Sequence, residues 1–231
     1  MCGRYSLTTP EEAMRRLFAY TGPPCNLPAR YNIAPTQPVP AVRVSEDGRA
    51  RVLVMLRWGL IPPWAKDPSI GARMINARAE TVAEKPSFRV AFAHRRCLIP
   101  ASGFYEWARR NGARQPYNIR LRDDGPFAFA GLWERWRPRT GLRDGAIESC
   151  VILTTEADAT VAPIHPRMPV ILAPDDYAAW LDMAATPPGA ARALLAHRRA
   201  VDLEAYPVSP RVNNVRNDDA ECLAPIDVTN R

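Results

Sequence analysis

Three turn signals constrain what this chain can fold into more than any other feature. Glu46-Asp47-Gly48, Asn111-Gly112 and Asp124-Gly125 each lie between strand-length runs. Asn-Gly supplies two residues that tolerate positive φ, as a type I′ hairpin requires, and that turn matches the twist of its flanking strands. Phe104 to Trp107 therefore reads as a strand whose return is Gln115 to Arg122. After Asp124-Gly125 the run from Phe127 to Trp136 continues the meander. Val39 to Val44 and Arg51 to Trp58 form a hairpin around Glu46-Asp47-Gly48. Arg96 to Pro100 and Ser149 to Thr154 are apolar enough to be buried strands, and Val170 to Leu172 is a further short one.

Helices are expected between some of these strands. Thr9, Pro10 and Glu12 make a capping box, Met14, Leu17 and Phe18 a buried stripe, and Gly22 a stop. Met74 to Thr81 should run from a strand into a helix, Ser87 to Ala93 is a short helix, and Thr155 to Asp158 opens another. Asp175 to Asp182 is a helix entered through Pro174 with Trp180 buried, and residues 189–199 are helical. Pro23, Pro24, Pro28, Pro35, Pro38 and Pro40 make residues 23–40 an ordered loop and not a central strand, anchored by Tyr31 and Ile33. Residues 137–146 are a polar loop, and the C-terminal stretch from Tyr206 is strand and loop. No repeat with a period of about 20–50 residues and no Gly/Ser linker divides the chain. The expected fold is α+β: a single domain over residues 1–231, built on a mainly antiparallel, barrel-like β-sheet core with flanking helices.

Composition excludes some functions. Cys2, Cys25, Cys97, Cys150 and Cys222 are odd in number and form no CxxC pair, so neither a disulfide framework nor a zinc site is expected. His94, His165 and His197 are not at metal spacing, so no metal and no cofactor is expected. No apolar run reaches membrane-spanning length, and the chain reads as cytoplasmic, with no membrane partner. The net charge of +7 is carried by arginine, with only Lys66 and Lys85 as lysines. Arginine suits phosphate and flat rings. Genome base composition accounts for the excess equally well.

Several residues can carry chemistry. If Met1 is trimmed, Cys2 presents an α-amine and a thiol on one skeleton, with reference pKa values of about 8 and about 8.5. Such a 1,2-aminothiol condenses with an aldehyde to a five-membered thiazolidine. From Met-Cys alone, the favoured reading of Cys2 is a plain small residue. Glu106 lies between Tyr105 and Trp107. Buried, it has a raised pKa and serves as general acid or base; on the wet face of the strand it does neither. His165 is a proton shuttle or a polar loop residue. Asn76 orients a substrate or, as the residues alone favour, caps a following helix. Arg4, Arg78 and Arg167 lie beside these groups as phosphate clamps or as ordinary surface arginines. Pro35, Trp64 and Trp107 stack or wedge against bases, or pack in the core.

The order of the motifs is more specific than any one of them. Met1-Cys2-Gly3-Arg4-Tyr5, Arg30-Tyr31-Asn32-Ile33-Ala34-Pro35, Trp58-Gly59-Leu60-Ile61-Pro62, Ile75-Asn76-Ala77-Arg78-Ala79-Glu80-Thr81, Gly103-Phe104-Tyr105-Glu106-Trp107, His165-Pro166-Arg167-Met168-Pro169 and Val212-Asn213-Asn214-Val215 follow one another. Together they resemble the SRAP family, the SOS response-associated peptidases, which shield abasic sites in single-stranded DNA. The resemblance runs from residue 2 to about residue 226. It implies that Cys2 is a catalytic N-terminal cysteine exposed by removal of Met1, autocatalytically or otherwise, with Asn76, Glu106 and His165 as the active-site trio. It implies that Arg4, Arg78 and Arg167 lie near the DNA backbone and that Pro35, Trp64 and Trp107 part the DNA at the lesion. The expected partner is single-stranded DNA with abasic sites, at single-strand/double-strand junctions, bound by a monomer. The expected product is a thiazolidine cross-link, with a lyase side activity. Pro166 departs from the acidic residue expected in many relatives, and so bears on the hydrogen bonding of His165. Two other readings stay open: an N-terminal-nucleophile cysteine peptidase and a non-covalent single-stranded-DNA binder.

Overall fold

The computed structural model describes residues 2–110, 112–138, 145–197 and 199–227. The chain opens with β1 (Tyr5–Leu7), α1 (Glu11–Phe18), β2 (Arg30–Ile33), β3 (Pro38–Val44), β4 (Arg51–Trp58) and β5 (Asn76–Arg78). It continues through α2 (Arg89–His94), β6 (Arg96–Ala101), β7 (Gly103–Arg110), β8 (Ala113–Leu121), β9 (Phe127–Trp136) and β10 (Ile147–Glu156). It closes with β11 (Arg167–Pro169), β12 (Ile171–Leu172), α3 (Tyr177–Leu181), α4 (Pro188–Ala196) and β13 (Leu203–Pro207).

β10 is the axis of the larger sheet. Its first half pairs antiparallel with β9 and parallel with β4. β4 pairs with β3, β3 with β6 and β6 with β9, all antiparallel. The five strands therefore return to their start and form a closed barrel, which leaves no free edge within the ring. The second half of β10 takes β5 on one side, in parallel, and β11 on the other. The smaller sheet runs β13-β8-β7-β1-β2 and is antiparallel throughout. The α+β, barrel-like expectation is what the chain adopts.

Aromatic rings join the two sheets. Tyr5 meets Trp58 and Phe129 edge-on at 5.4 and 5.7 Å between centroids, and Phe104 meets Phe129 at 6.1 Å. Such pairs add about 0.5–1.5 kcal/mol each beyond buried area. The β1 and β7 residues nearest the barrel are thereby fixed against it.

Some expectations need correction. Thr9 does not cap α1: its hydroxyl is taken by Ser102 at 2.9 Å, and Pro10 stands at the N-cap without a side-chain bond. The helix stops at Ala19, in the left-handed region at φ 52°, before Gly22 is reached. Residues 30–33 form a strand within the proline-rich segment, but at the sheet edge, where proline neighbours are tolerated. No helix follows Asn76. The Ala79 N–H continues the pairing by donating to the Thr154 carbonyl at 2.8 Å, and the chain then proceeds through turns. Nor does Thr155 open a helix, because β11 extends β10 to Glu156. Asp158 then closes a turn by accepting from the N–H groups of Thr160 and Val161 at 3.0 Å. Gly112 has the positive φ of a hairpin turn, 79°. Asn111 and most of the 137–146 loop lie outside the described residues.

Candidate active site

The site lies at the seam between the barrel and the smaller sheet. β1 pairs with β7 through Tyr5↔Phe104, and the Tyr105 N–H donates to the Arg4 carbonyl at 3.0 Å. Continuing that antiparallel register lays residues 2–4 beside residues 105–107. Strand alternation then decides where Glu106 points. Tyr105 faces a small outer cluster with Val208, Val212 and Cys222, whereas Phe104 belongs to the main core that also holds Cys2. Glu106, two residues on from Phe104, shares the inner face and is 3% exposed. The wet-face reading of Glu106 is excluded.

The barrel contributes the other two groups. β5 carries Asn76 opposite Ile152 of β10, and the Asn76 Nδ2 donates to the Cys2 carbonyl at 2.7 Å. The side chain is therefore not a helix cap, the reading its local sequence favoured. Its Oδ1 is buried and has no hydrogen-bond partner among the described residues. His165 lies just before β11. Its Nδ1 is 3.0 Å from both the N–H and the carbonyl oxygen of Arg167. The N–H donates to a neutral Nδ1; a protonated Nδ1 donates to the carbonyl. The ring thus has a main-chain partner in either state. Pro166 brings no N–H of its own to compete, so the departure at this position leaves His165 well held.

Electrostatics link Cys2, Glu106 and His165, and Asn76 joins them through the Cys2 carbonyl. Burial raises the Glu106 carboxyl pKa, and the neighbouring His165 opposes that rise. Burial also pushes the Cys2 thiol far above its usual range, and the nearby Glu106 pushes it further. Its Sγ contacts the Arg4 carbonyl at 3.7 Å. Burial thus favours the neutral thiol. The Glu106 carboxyl is the acidic group beside it.

The three arginines separate by environment. Arg4 is half-buried and spent on the protein itself: Nη1 donates to Asn32 Oδ1 at 2.7 Å and to the Val212 carbonyl at 2.8 Å. Its guanidinium lies 5.9 Å from the Trp107 ring centroid, and Trp107 Nε1 donates to Asn213 Oδ1 at 2.7 Å. Arg167 is clamped in a two-pronged pair with Glu80 at 2.7 and 2.9 Å and also donates to the Thr154 carbonyl. Arg78, at the end of β5, is exposed. Pro35 lies half-buried in the turn after β2. Trp64 is 51% exposed and lines a separate depression with Lys66, Asp67 and Arg73. Neither joins the four central residues through a hydrogen bond among the described residues.

Sequence reasoning passed over Asn32, Asn213 and Glu80. Asn32 is fully buried, and its Nδ2 donates to the carbonyls of Val212, Asn214 and Asn217. All three residues stand inside the ordered motifs, and a buried asparagine within a motif was the available signal. Among the described residues, no cluster of three or more His, Cys, Asp or Glu side chains is placed to hold a metal. No helix there is long and apolar enough to cross a membrane.

A closed barrel with a buried, cysteine-centred acid–base site at its seam with a second sheet defines a class of thiol proteins. The family model for SOS response associated peptidase (SRAP) matches residues 1–215, and the chain belongs to that family. It is 44% identical over 226 residues to the abasic site processing protein YoaM of Bacillus subtilis, covering 96% of this chain and 97% of that one. It is 33% identical over 268 residues to the abasic site processing protein HMCES of Gallus gallus, covering 99% of this chain and 79% of that one. A crystal structure of a Bordetella bronchiseptica protein aligns with a TM-score of 0.75 at 32% identity, over 90% of this chain and 100% of that one. A Bacteroides thetaiotaomicron protein shares the fold with a TM-score of 0.84 at 23% identity, over 97% of this chain and 100% of that one.

Proposed function

We propose that this chain processes abasic sites by joining Cys2 covalently to the ring-opened sugar in single-stranded DNA. The observation that carries the reading is Glu106, buried within electrostatic reach of both the Cys2 thiol and His165. The names of the relatives agree with it. Hydrolysis of the Met1–Cys2 peptide bond releases methionine and leaves an α-amine on Cys2. That amine adds to the aldehyde carbon of the open sugar, and loss of water gives an imine. The thiol then adds to the imine carbon while its proton passes through Glu106 to the imine nitrogen. A thiazolidine closes, and the condensation of Cys2 with the aldehyde releases one water.

In this scheme Asn76 fixes the Cys2 carbonyl and offers its Oδ1 to the amine or a sugar hydroxyl. His165 assists ring opening. Arg78 binds phosphate, Arg4 and Arg167 support the site through their internal bonds, and Pro35, Trp64 and Trp107 part the strand at the lesion. The chain acts as one domain and as a monomer in the cytoplasm, on single strands and at their junctions with duplex. The test is incubation with an abasic oligonucleotide, followed by a denaturing gel and intact mass. A heat-stable adduct on protein lacking Met1 is expected. An active, cross-linking protein that fully retains Met1 overturns the mechanism; a peptide hydrolase or a plain binder gives no adduct.

A further inference from the structure

The tip of the β7–β8 hairpin carries an arrangement that folding alone does not favour. Arg109 and Arg114 are cross-strand partners in the antiparallel pair, and both are exposed. Like charges directly opposite one another destabilise a strand pair. Elsewhere on the same sheet other arginines are matched with acids, Arg30 of β2 with Asp218 among them. Arg120 of β8 pairs with Glu204 of β13 and with Asp124, and Arg122 pairs with Asp202. Arg109 and Arg114 have no salt bridge among the described residues, and residues 107–116 contain no acidic side chain.

The pair also has a direction. Two-residue alternation and the register Trp107↔Pro116, Arg109↔Arg114 place Trp107, Arg109 and Arg114 on one face of the hairpin. Arg114 lines a surface depression together with Trp107, Arg4 and Asn213. Within that depression the Arg4 guanidinium is committed to Asn32 and Val212, so Arg114 supplies the available positive charge. The Trp107 ring is held in place through Nε1 and Asn213. A fixed aromatic ring leading onto a pair of uncompensated arginines suits an unpaired base followed by its phosphates.

We infer that Arg109 and Arg114 form a phosphate-binding surface for the single strand flanking the lesion, extending the nucleic-acid interface from Trp107 to the hairpin tip. This rests on the abasic-site reading given above. The test is non-covalent binding of an intact single-stranded oligonucleotide across a salt series, for the wild type, Arg109→Gln/Arg114→Gln and Arg109→Lys/Arg114→Lys. The glutamine pair should flatten the slope of log affinity against log salt by about 1.4, at about 0.7 per lost contact, and the lysine pair should retain it. Cross-linking of a saturating abasic oligonucleotide should be unchanged in both variants. An unaltered slope in the glutamine pair overturns the inference. A slope that changes with duplex but not with single strands overturns the single-strand assignment. Failure of the wild type to cross-link would sink the abasic-site reading while leaving the salt slopes readable.

Discussion

Burial disfavours charge on the Cys2 sulfur, which suits a proposed order in which its amine reacts before its thiol. In the proposed reaction the amine acts first, and the thiol closes the ring afterwards. Cys2→Ala, with Met1 still removed, should lose the heat-stable adduct and keep one that borohydride traps, since the imine still forms. Absence of any trappable adduct, with DNA binding intact, would mean that sulfur attacks first. Glu106 makes a second prediction, in stability. Its carboxyl titrates in the ordinary range when unfolded and at higher pH when folded. Between those values the folded state binds more protons, so stability falls as pH rises through that window. Glu106→Gln removes this loss. Its Tm relative to wild type should therefore rise as pH climbs above the ordinary carboxylate range, while cross-linking slows by about 10²–10⁴-fold. A Tm difference that is flat with pH would contradict the assignment. At this scale the sequence marked candidate residues without revealing their surroundings. Asn76 resembled a cap because a local pattern cannot reveal the carbonyl of Cys2, which meets it only after β5 docks on β10. The burial of Glu106 hung on whether both faces of β7 were covered: Val208, Val212 and Cys222, about a hundred positions away, cover the Tyr105 face, while Glu106 shares the other with Phe104 and the main core that holds Cys2.

Among the elements, the crossing from β4 to β5 decides where Asn76 stands. Gly59 has φ 125°, and a Cβ there would lie 2.4 Å from the Gly71 carbonyl oxygen. Leu60 N–H donates to the Met74 carbonyl, and Trp58 Nε1 donates to that of Ile75. The loop is thus sewn to the end of β4 immediately before Asn76. Gly59→Ala should cost about 2–4 kcal/mol in urea unfolding, through backbone strain and the clash together. It should also reduce cross-linking in protein that is still folded. An unchanged urea midpoint would show that the crossing relaxes freely. The hairpins were legible because their turn residues act locally. The two expected helices after Asn76 and Thr155 were not, because both segments gave their first N–H groups or their strand extension to partners remote in sequence. Local propensity yields to pairing in such places.

Over the whole molecule, the segment after β13 works as a strap across the smaller sheet. The family model ends at residue 215, yet Asp218 accepts the N–H groups of Tyr31 and Asn32 and pairs with Arg30 at 2.8 Å. It thereby covers the edge of β2. Asp218→Ala should lower stability by about 1–3 kcal/mol, chiefly from two strand N–H groups left unmatched, with the partly exposed ion pair adding little. Urea unfolding of the variant checks this, and a loss below a few tenths of a kcal/mol would make the strap incidental. The same strap receives the Arg4 side chain at Val212, which gives residues 2–7 a mechanical character. In the proposed reaction a captured DNA strand hangs from the end of β1. A pull along the strand axis loads the β1–β2 and β1–β7 bonds and the Arg4 anchor together, in shear. A pull across it peels them one at a time. The direction of a pull on the captured DNA then determines how much force the protein withstands before its first β-strand tears loose.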